Sequence, residues 1–245
     1  MEFKGKTALV TGAAVGIGRA TAIELASRGA SLVLFDVDSE KLAALKAELA
    51  PITENVLTYT CDISDEAAVN EAVTKALTVL PQIHILVNNA ALWRGSAPFV
   101  ESDMATWRRF FDINVNGTAY VTKAVLPTML QNTYGRIINV ASVAGVYGNA
   151  NMACYSATKG AIIAFTKALA KEVSASGVLV NSVSPGSVSP STIADLDHTQ
   201  ESQLSFIGRT GSTRENAELI CFLASDKASY ISGQNIQIDG CRKKQ

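Results

Sequence analysis

The sequence predicts one α/β domain with a doubly wound, seven-stranded parallel sheet and helices on both faces, arranged as a three-layer sandwich. Short apolar runs alternate with longer amphipathic stretches along most of the 245 residues, as repeated βαβ units require. The composition agrees, because 48% of the residues are hydrophobic and only 7% are aromatic. A core built from Val, Ile, Leu and Ala is typical of parallel strands buried on both faces.

The apolar runs give the order of the elements. Strands are predicted over residues 7–11, 31–35, 56–61, 83–87, 135–140, 178–183 and 236–238, and helices over 16–27, 39–49, 65–80 and 153–174. Asp38-Ser39 and Ser64-Asp65 are N-cap signals for two of these helices. Segment 186–211 has no clear periodicity. We interpret it as a substrate loop within a single domain of residues 1–245, because loops this long are usually functional or mobile.

Charge, cysteines and hydropathy exclude several classes of protein. The net charge is −1, so nucleic-acid binding is not expected. The four cysteines form no C-x-x-C pair, so we predict no metal site or disulfide framework, and a cytoplasmic location is the simplest. No apolar run approaches 18 residues, so we expect no signal peptide and no membrane span. The basic run at 242–244 is interpreted as a solvated tail.

A glycine-rich turn follows the first strand. Gly12, Gly16 and Gly18, with Val15 and Ile17 between them, would let the backbone turn sharply and approach a pyrophosphate. The helix that begins near Gly16 would offer free N–H groups and its positive dipole end to the phosphates. A glycine cluster can also be an ordinary tight turn. Its place between the first strand and the first helix favours a Rossmann-type dinucleotide site.

Polar residues at the ends of the next strands complete this cofactor site. Asp36 is placed to hydrogen-bond the adenine ribose and to repel a 2′-phosphate, so NAD is predicted rather than NADP. The alternative is an ordinary strand-end carboxylate. Asp62 and Ile63 could receive the adenine ring, although Asp62 could equally cap the next helix. Asn89 and Ala90 close the fourth strand, where small residues would permit close approach to the ribose.

Tyr155 and Lys159 lie four residues apart on a predicted helix and would project from the same face. A phenol with a pKa near 10 is a poor base at neutral pH, and a neighbouring ammonium favours the phenolate. Chance supplies this spacing often. The cofactor motif upstream favours a catalytic role for the pair over a chance occurrence.

Together these motifs resemble the short-chain dehydrogenase/reductase family, in its single-domain branch of about this length. The matching residues occur in the family's order over essentially the whole chain: the glycine motif, Asn88-Asn89-Ala90, Asn114, Ser142, Tyr155, Lys159 and Pro185-Gly186. Three positions depart from the family's pattern. Ala91 and Cys241 stand where the family usually has Gly, and Ser189 stands where Thr commonly contacts the cofactor carboxamide.

The resemblance implies a role for each residue. Tyr155 would be the acid/base of an NAD(H)-dependent oxidoreductase that interconverts a secondary alcohol and a ketone. Lys159 would lower the pKa of Tyr155 and hold the nicotinamide ribose, and Ser142 would hydrogen-bond the substrate oxygen. Asn114 would support a water chain to Lys159. Further cofactor contacts would come from Pro185, Gly186 and Val188. Taken singly, Ser142 could instead be a cap, Asn114 a packing residue and Tyr155 a half-buried aromatic.

The substrate is expected to lie between segments 91–100, 143–154 and 186–211. These segments supply apolar side chains at Trp93, Phe99, Val146, Tyr147, Met152, Ile193, Leu196 and Phe206, and polar ones at Asn149, Asn151 and His198. Apolar walls with few charges suit a small neutral alcohol or ketone, alicyclic or hydroxylated. His84 is interpreted as structural, and His198 as a surface residue.

Two other functions stay open, and the family also implies an assembly. A 3-oxoacyl carrier-protein reductase has similar length, but such enzymes usually prefer NADPH and carry basic residues near two helix ends. At these ends this chain has residues 132–134 and 174–176, none of which is basic. A non-catalytic dinucleotide sensor would commonly lose the Tyr or Lys. Family members usually form homotetramers through helices around 103–130 and 153–174 and through the C-terminal segment. Ala161, Ile162, Ala164 and Phe165 could supply that contact or could equally face the sheet.

Overall fold

The computed structural model describes residues 1–53, 55–190, 192 and 194–243. Ile193 and Lys244, named above, lie outside the described residues. Seven parallel strands form one sheet in the order β3-β2-β1-β4-β5-β6-β7. They are β1 Thr7–Thr11, β2 Ser31–Asp36, β3 Val56–Thr60, β4 Ile85–Asn88, β5 Gly135–Val140, β6 Val178–Pro185 and β7 Asn235–Ile238. The predicted α/β class and seven-stranded parallel sheet are confirmed.

Helices cover both faces of this sheet. They are α1 Gly16–Ser27, α2 Ser39–Leu49, α3 Glu66–Val79, α4 Met104–Phe111, α5 Thr118–Gln131, α6 Val143–Tyr147, α7 Ala153–Val173 and α8 Thr213–Ala224. The side chains of Asp38 and Asp65 accept hydrogen bonds from backbone N–H groups in the first turns of α2 and α3. Both predicted caps are therefore present.

The alternation of side chains along each strand divides the core into two layers. Leu32 and Leu34 of β2 pack in a cluster with α1, α2 and α8, whereas Val33 and Phe35 pack in a second cluster with α3, α5 and α7. Neighbouring residues of a strand point to opposite faces, so one strand feeds both layers. All four side chains are fully buried.

The long helix predicted around 103–130 is interrupted in the middle. A π-turn over Asp112–Gly117 separates α4 from α5. Such turns are rare inside helices and are frequent at functional sites. This one carries Asn114.

The strand order reverses at β1, because β2 and β3 lie on one side of it and β4 to β7 on the other. In doubly wound sheets, ligands bind beyond the carboxyl ends of the strands at such a reversal. Among the described residues, no helix has the length and apolar character that crossing a membrane requires.

Candidate active site

A cavity of about 750 Å³ opens at the carboxyl edge of the sheet. Its wall includes most of the predicted site residues: Gly12, Val15, Gly16, Ile17, Asp36, Asp62, Ile63, Asn89, Ala90, Ser142, Tyr155, Lys159, Pro185, Gly186 and Val188. Gly18 and Asn114 are not part of this wall. The fold therefore brings the predicted cofactor and catalytic residues, which are far apart in sequence, around one space.

The glycine turn between β1 and α1 lies against the end of β4. Gly12 has a φ of +60°, and a Cβ atom there would lie 2.8 Å from the Cα atom of Ala90. A Cβ atom at Gly18 would lie 2.1 Å from the carbonyl oxygen of Gly12. Gly18 thus permits α1 to pack against the turn. It supports the shape of the cavity wall without lining the cavity.

Thr11 and Asn89 join the ends of β1 and β4. The Thr11 hydroxyl accepts hydrogen bonds from the backbone N–H groups of Asn89 and Ala90, at 3.0 and 3.1 Å. The Asn89 side-chain amide donates to the carbonyl oxygens of Thr11 and Gly12, at 3.0 and 2.9 Å. Asn89 therefore fixes the glycine turn, and Thr11, which no sequence pattern marked, shares this task.

The beginning of α1 and the Asp36 carboxylate form the next part of the wall. The N-cap residue Val15 has an extended backbone, and among the described residues no side chain caps the first N–H groups of α1. Asp36 accepts from the N–H groups of Ala14 and Asp38, at 2.9 and 3.0 Å. Its oxygens keep free lone pairs for hydroxyl groups. This arrangement fits the pyrophosphate and ribose of a nicotinamide adenine dinucleotide.

Asp62 and Ile63 lie after β3, as predicted. Asp62 accepts hydrogen bonds from the N–H and hydroxyl groups of Ser64, at 2.9 and 2.7 Å, whereas Asp65 caps α3. The alternative that Asp62 caps this helix is therefore wrong. Ile63 is buried against the π-turn, since a Cβ atom at Gly117 would lie 2.8 Å from its side chain.

Lys159 is buried within α7, where its side chain reaches the end of β5. Its ammonium donates a hydrogen bond of 2.7 Å to the carbonyl oxygen of Val140. Burial lowers the pKa of Lys159 to about 8, because a charge is less favourable away from water. The nitrogen lies 5.8 Å from the centre of the Tyr155 ring.

Tyr155 lies one turn earlier on α7 and packs edge-on against Phe110, with ring centres 6.5 Å apart. Burial raises the pKa of its phenol, and a hydrogen bond with Ser142 opposes that rise. The expected lowering of the Tyr155 pKa by Lys159 is therefore not the dominant effect. Burial is larger, and the side chain that lowers the pKa is Ser142.

Ser142 is both a cap and a neighbour of Tyr155. Its side-chain oxygen accepts a hydrogen bond from the N–H of Ala144 at 3.1 Å and thereby caps the start of α6. The hydroxyl proton of Ser142 stays available for a second hydrogen bond. α6 lies directly against α7, since a Cβ atom at Gly145 would lie 2.5 Å from the carbonyl carbon of Lys159. Close packing of the two helices thus holds Ser142 beside Tyr155.

Asn114 lies behind the wall, with its side chain fully engaged. Its amide donates to the carbonyl oxygen of Leu92 and the hydroxyl of Thr158, at 2.9 and 3.1 Å, and its oxygen accepts the N–H of Leu92 at 2.7 Å. Thr158 in turn donates to the carbonyl oxygen of Tyr155 at 2.8 Å. Asn114 therefore links the π-turn to α7, and a water chain through it stays a prediction.

Residues 6–201 match the family described as short chain dehydrogenase. The chain belongs to that family. It is accordingly an oxidoreductase of a family that binds a nicotinamide dinucleotide and acts on CH–OH groups.

Relatives of this short-chain dehydrogenase align over nearly their full length. It is 38% identical over 243 residues to the 3-oxoacyl-(acyl-carrier-protein) reductase FabG of Thermotoga maritima, covering 98% of each chain. It is 35% identical over 247 residues to the 2-dehydro-3-deoxy-L-rhamnonate dehydrogenase (NAD(+)) of a Sphingomonas species, covering 98% of this chain and 96% of that one. The solved structure of an NAD+-bound xylitol dehydrogenase superposes with a TM-score of 0.91 at 32% identity, covering 98% and 100%.

Two of the three departures from the family pattern have a local context in the structure, and the third is placed by the cavity. Cys241 has a φ of +58°, in the left-handed region that favours glycine, which accounts for the usual Gly there. The Ser189 hydroxyl donates a hydrogen bond to the carbonyl oxygen of His198, and its oxygen lies 3.3 Å from the hydroxyl oxygen of Thr210. The hydroxyl of Ser189 is therefore bonded within the loop itself. Ala91 lines the cavity.

The predicted substrate wall is only partly correct. Of the residues named from the sequence, Trp93, Asn149 and Met152 line the cavity. The others with described positions do not: Phe99, Val146, Tyr147, Asn151, Leu196, His198 and Phe206. Leu92 and Leu204 take part instead.

Arg242 and Lys243, the described residues of the basic run, are not simply part of a solvated tail. Residues 204–207 pair with 240–243 through backbone hydrogen bonds, and this brings Arg242 into the cavity wall. Arg109 of α4 also lines the cavity. Both were missed because no local pattern distinguishes them from ordinary surface arginines.

The remaining sequence interpretations concern histidine and metal. His84 accepts the backbone N–H of Thr7 at 3.0 Å through Nδ1, and burial lowers its pKa, which fits the structural role assigned to it. Within the described part of the chain, no group of three or more His, Cys, Asp or Glu side chains could hold a metal ion.

Proposed function

We propose that the protein is an NAD(H)-dependent oxidoreductase that interconverts a secondary alcohol and a ketone. The observation that carries the proposal is a single cavity whose wall contains Asp36 at one end and Ser142, Tyr155 and Lys159 at the other. A dinucleotide bound there would supply the hydride chemistry. The side chains would bind, orient and move the proton.

Tyr155 is the proposed acid/base. In the oxidative direction its phenolate oxygen takes the hydroxyl proton of the alcohol, and in reduction its hydroxyl donates a proton to the ketone oxygen. Ser142 donates a hydrogen bond to the same substrate oxygen and stabilises charge that develops on it. Lys159 holds the nicotinamide ribose with the ammonium N–H groups that Val140 leaves free.

The proposed cofactor is NAD rather than NADP. The Asp36 carboxylate is held by two backbone N–H groups at the end of β2, where it can accept ribose hydroxyls and would repel a 2′-phosphate. Support comes from the Sphingomonas relative, whose name specifies NAD(+), and from the NAD+-bound xylitol dehydrogenase.

The proposed substrate is small, and alicyclic or hydroxylated. Leu92, Trp93, Met152 and Leu204 provide an apolar surface, and Asn149 adds an amide. Walls of this kind bury a compact carbon skeleton and orient it through a few polar groups.

We also propose a cytoplasmic homotetramer. Ile162 is buried and Phe165 packs on the core, so those two positions face inward, whereas Ala164 is exposed on α7. Phe206 and Ile207 are 72% and 63% exposed beside the C-terminal segment. Exposed apolar side chains of this size are candidates for subunit contacts. Light scattering of the purified protein measures the assembly.

Two alternatives are kept. The Thermotoga relative favours a 3-oxoacyl carrier-protein reductase, although Asp36 and the absence of basic residues at 132–134 count against it. A non-catalytic dinucleotide sensor has the same fold, but the complete Ser142, Tyr155 and Lys159 set counts against that reading.

The test compares NAD with NADP by calorimetry and then screens secondary alcohols, polyols, cyclic diols and hydroxysteroids by NADH absorbance. We expect NAD to bind more tightly and at least one alcohol to be oxidised. Tighter NADP binding together with reduction of a 3-oxoacyl thioester would favour the first alternative. NAD binding without turnover of any alcohol or ketone would favour the second.

A further inference from the structure

The charges around the cavity are separated by sign. Asp36 and Asp62 follow β2 and β3, on one side of the strand reversal. On the other side the wall contains Lys159, Arg109 and Arg242, and its described residues include no carboxylate side chain. The part of the cavity proposed for the substrate is therefore positively charged.

Arg242 is held in this wall by the backbone rather than by chance orientation of a tail. Cys241 turns the chain after β7, and its N–H donates to Asp239 at 3.0 Å. The N–H groups of Phe206 and Lys243 then donate to the carbonyl oxygens of Cys241 and Leu204, both at 2.9 Å. Arg242 stands between these two hydrogen bonds, so its backbone is fixed on both sides.

The side chain of Arg242 is tied to the catalytic helix. Its Nη2 donates to the amide oxygen of Asn149 at 2.9 Å, and the N–H of Asn149 donates to the Ser156 hydroxyl at 3.2 Å. Ser156 directly follows Tyr155. Two hydrogen bonds therefore connect the Arg242 guanidinium, through Asn149, to the residue that follows the proposed acid/base in the chain.

The charge of Arg242 is not neutralised by this contact. The Asn149 oxygen belongs to a neutral amide, and a guanidinium has five N–H donors. Among the described residues, no carboxylate forms an ion pair with Arg242. Five other arginines do form such pairs: Arg19, Arg28, Arg136, Arg209 and Arg214.

We propose that Arg242 binds a carboxylate on the substrate, so that the alcohol is a hydroxy acid and the ketone an oxo acid. The planar guanidinium matches a carboxylate through two parallel hydrogen bonds. Because Leu92, Trp93, Met152 and Leu204 give this wall an apolar surface beside the charged groups, the group should be a single carboxylate on a compact skeleton. This inference rests on the proposed function and replaces the neutral substrate expected from the sequence.

The first test measures kcat/KM with NAD for 4-hydroxycyclohexanecarboxylate and its amide, 4-hydroxycyclohexanecarboxamide. The same measurement is made for a linear hydroxy acid and its amide. We expect the carboxylates to be preferred and Arg242→Gln to lower their kcat/KM about 30-fold, mainly through KM, as loss of a charge-assisted hydrogen bond implies. Arg242→Lys should retain part of the preference. The matched control is Lys243→Gln, because Lys243 is the adjacent basic residue and does not line the cavity.

A second measurement separates this inference from the proposed function. Calorimetry follows binding of cyclic and linear carboxylates, and of their amides, to the protein with NADH present. Carboxylate binding that Arg242→Gln abolishes and Lys243→Gln retains would support the role of Arg242 even if no alcohol were oxidised. Equal binding of amides, equal losses in both variants, or no carboxylate binding would overturn it.

Discussion

The ammonium of Lys159 donates a 2.7 Å hydrogen bond to the carbonyl oxygen of Val140, the last residue of β5. This contact joins the middle of α7 to the strand that leads directly to Ser142. Tyr155 is one helical turn from Lys159, so one buried hydrogen bond fixes the distance between the strand end and the acid/base helix. The same burial lowers the pKa of Lys159 to about 8.

Burial of Lys159 predicts a pH-dependent cost to stability. The folded pKa of about 8 lies below the ordinary lysine pKa of 10.5, so between these values the unfolded chain holds the proton and the folded chain does not. Stability from this group therefore rises with pH across that window. Relative to Lys159→Met, the wild type should gain about 2 kcal/mol in free energy of unfolding from pH 7 to pH 10. Urea titrations of both proteins measure the difference, and a pH-independent difference would contradict it.

Replacement of the acid/base should separate binding from turnover. Tyr155→Phe removes the hydroxyl and keeps the edge-on contact with Phe110. We expect kcat to fall by about 1000-fold or more while the Kd for NAD changes little, because proton transfer is lost. Tyr147→Phe is the matched control, since Tyr147 bonds Gln237 and is not in the cavity wall. Unchanged turnover in Tyr155→Phe would refute the proposed role.

Removal of the Ser142 hydroxyl should change the pH profile. That hydroxyl lowers the pKa of Tyr155 against the effect of burial. In Ser142→Ala, the rise in the rate of alcohol oxidation with pH should move to higher pH, and kcat should fall by about 100-fold. Ser142→Thr keeps a hydroxyl for both the cap and the phenol and should retain most activity. A profile unaltered in Ser142→Ala would contradict this reading.

Neutralisation of Asp36 should relax the choice of cofactor. Asp36→Asn retains an oxygen acceptor for only one of the backbone N–H groups of Ala14 and Asp38, which bond to different carboxylate oxygens, and it removes the charge that would repel a 2′-phosphate. The ratio of kcat/KM for NADP over NAD should rise by about 10-fold or more. The control Asp38→Asn removes a nearby charge that caps α2 outside the cavity wall, and it should leave this ratio unchanged.

The strained backbone at Cys241 predicts a stabilising substitution. A non-glycine residue in the left-handed region costs roughly 1–2 kcal/mol, and the φ of Cys241 is +58°. Cys241→Gly should therefore raise the free energy of unfolding by about 0.5–1 kcal/mol after the added chain entropy of glycine. Chemical denaturation measures it. Destabilisation would mean that the thiol makes a contact worth more than the strain.

The sheet and the cofactor side of the cavity could be predicted because their signals are local. The apolar runs mark the strands, and the glycines lie between one strand and one helix. Asp36 lies at a strand end that the sequence also marks. The contacts that Thr11 makes with Asn89 and Ala90 could not be predicted in this way, because they join strand ends that are 78 residues or more apart in the chain.

The substrate side was predicted less well, since loop packing decides it. Phe206 has the composition expected of a substrate wall, yet it lies outside, with the Lys243 nitrogen 5.4 Å from its ring centre. In the sequence, Arg242 cannot be distinguished from a residue of a solvated tail. Only the pairing of 240–243 with 204–207 brings it into the cavity wall. Helical spacing likewise indicates that Lys159 lies near Tyr155 but not how deeply the two are buried, and burial raises the pKa of Tyr155.

Pairing of residues 240–243 with 204–207 has a consequence for biosynthesis. During translation, the glycine turn and Asp36 leave the ribosome long before Arg242. The wall around Asp36 can therefore form while the segment that carries Arg242 is still inside the ribosome. The substrate part of the wall is completed only after residues 240–243 have emerged and paired with 204–207.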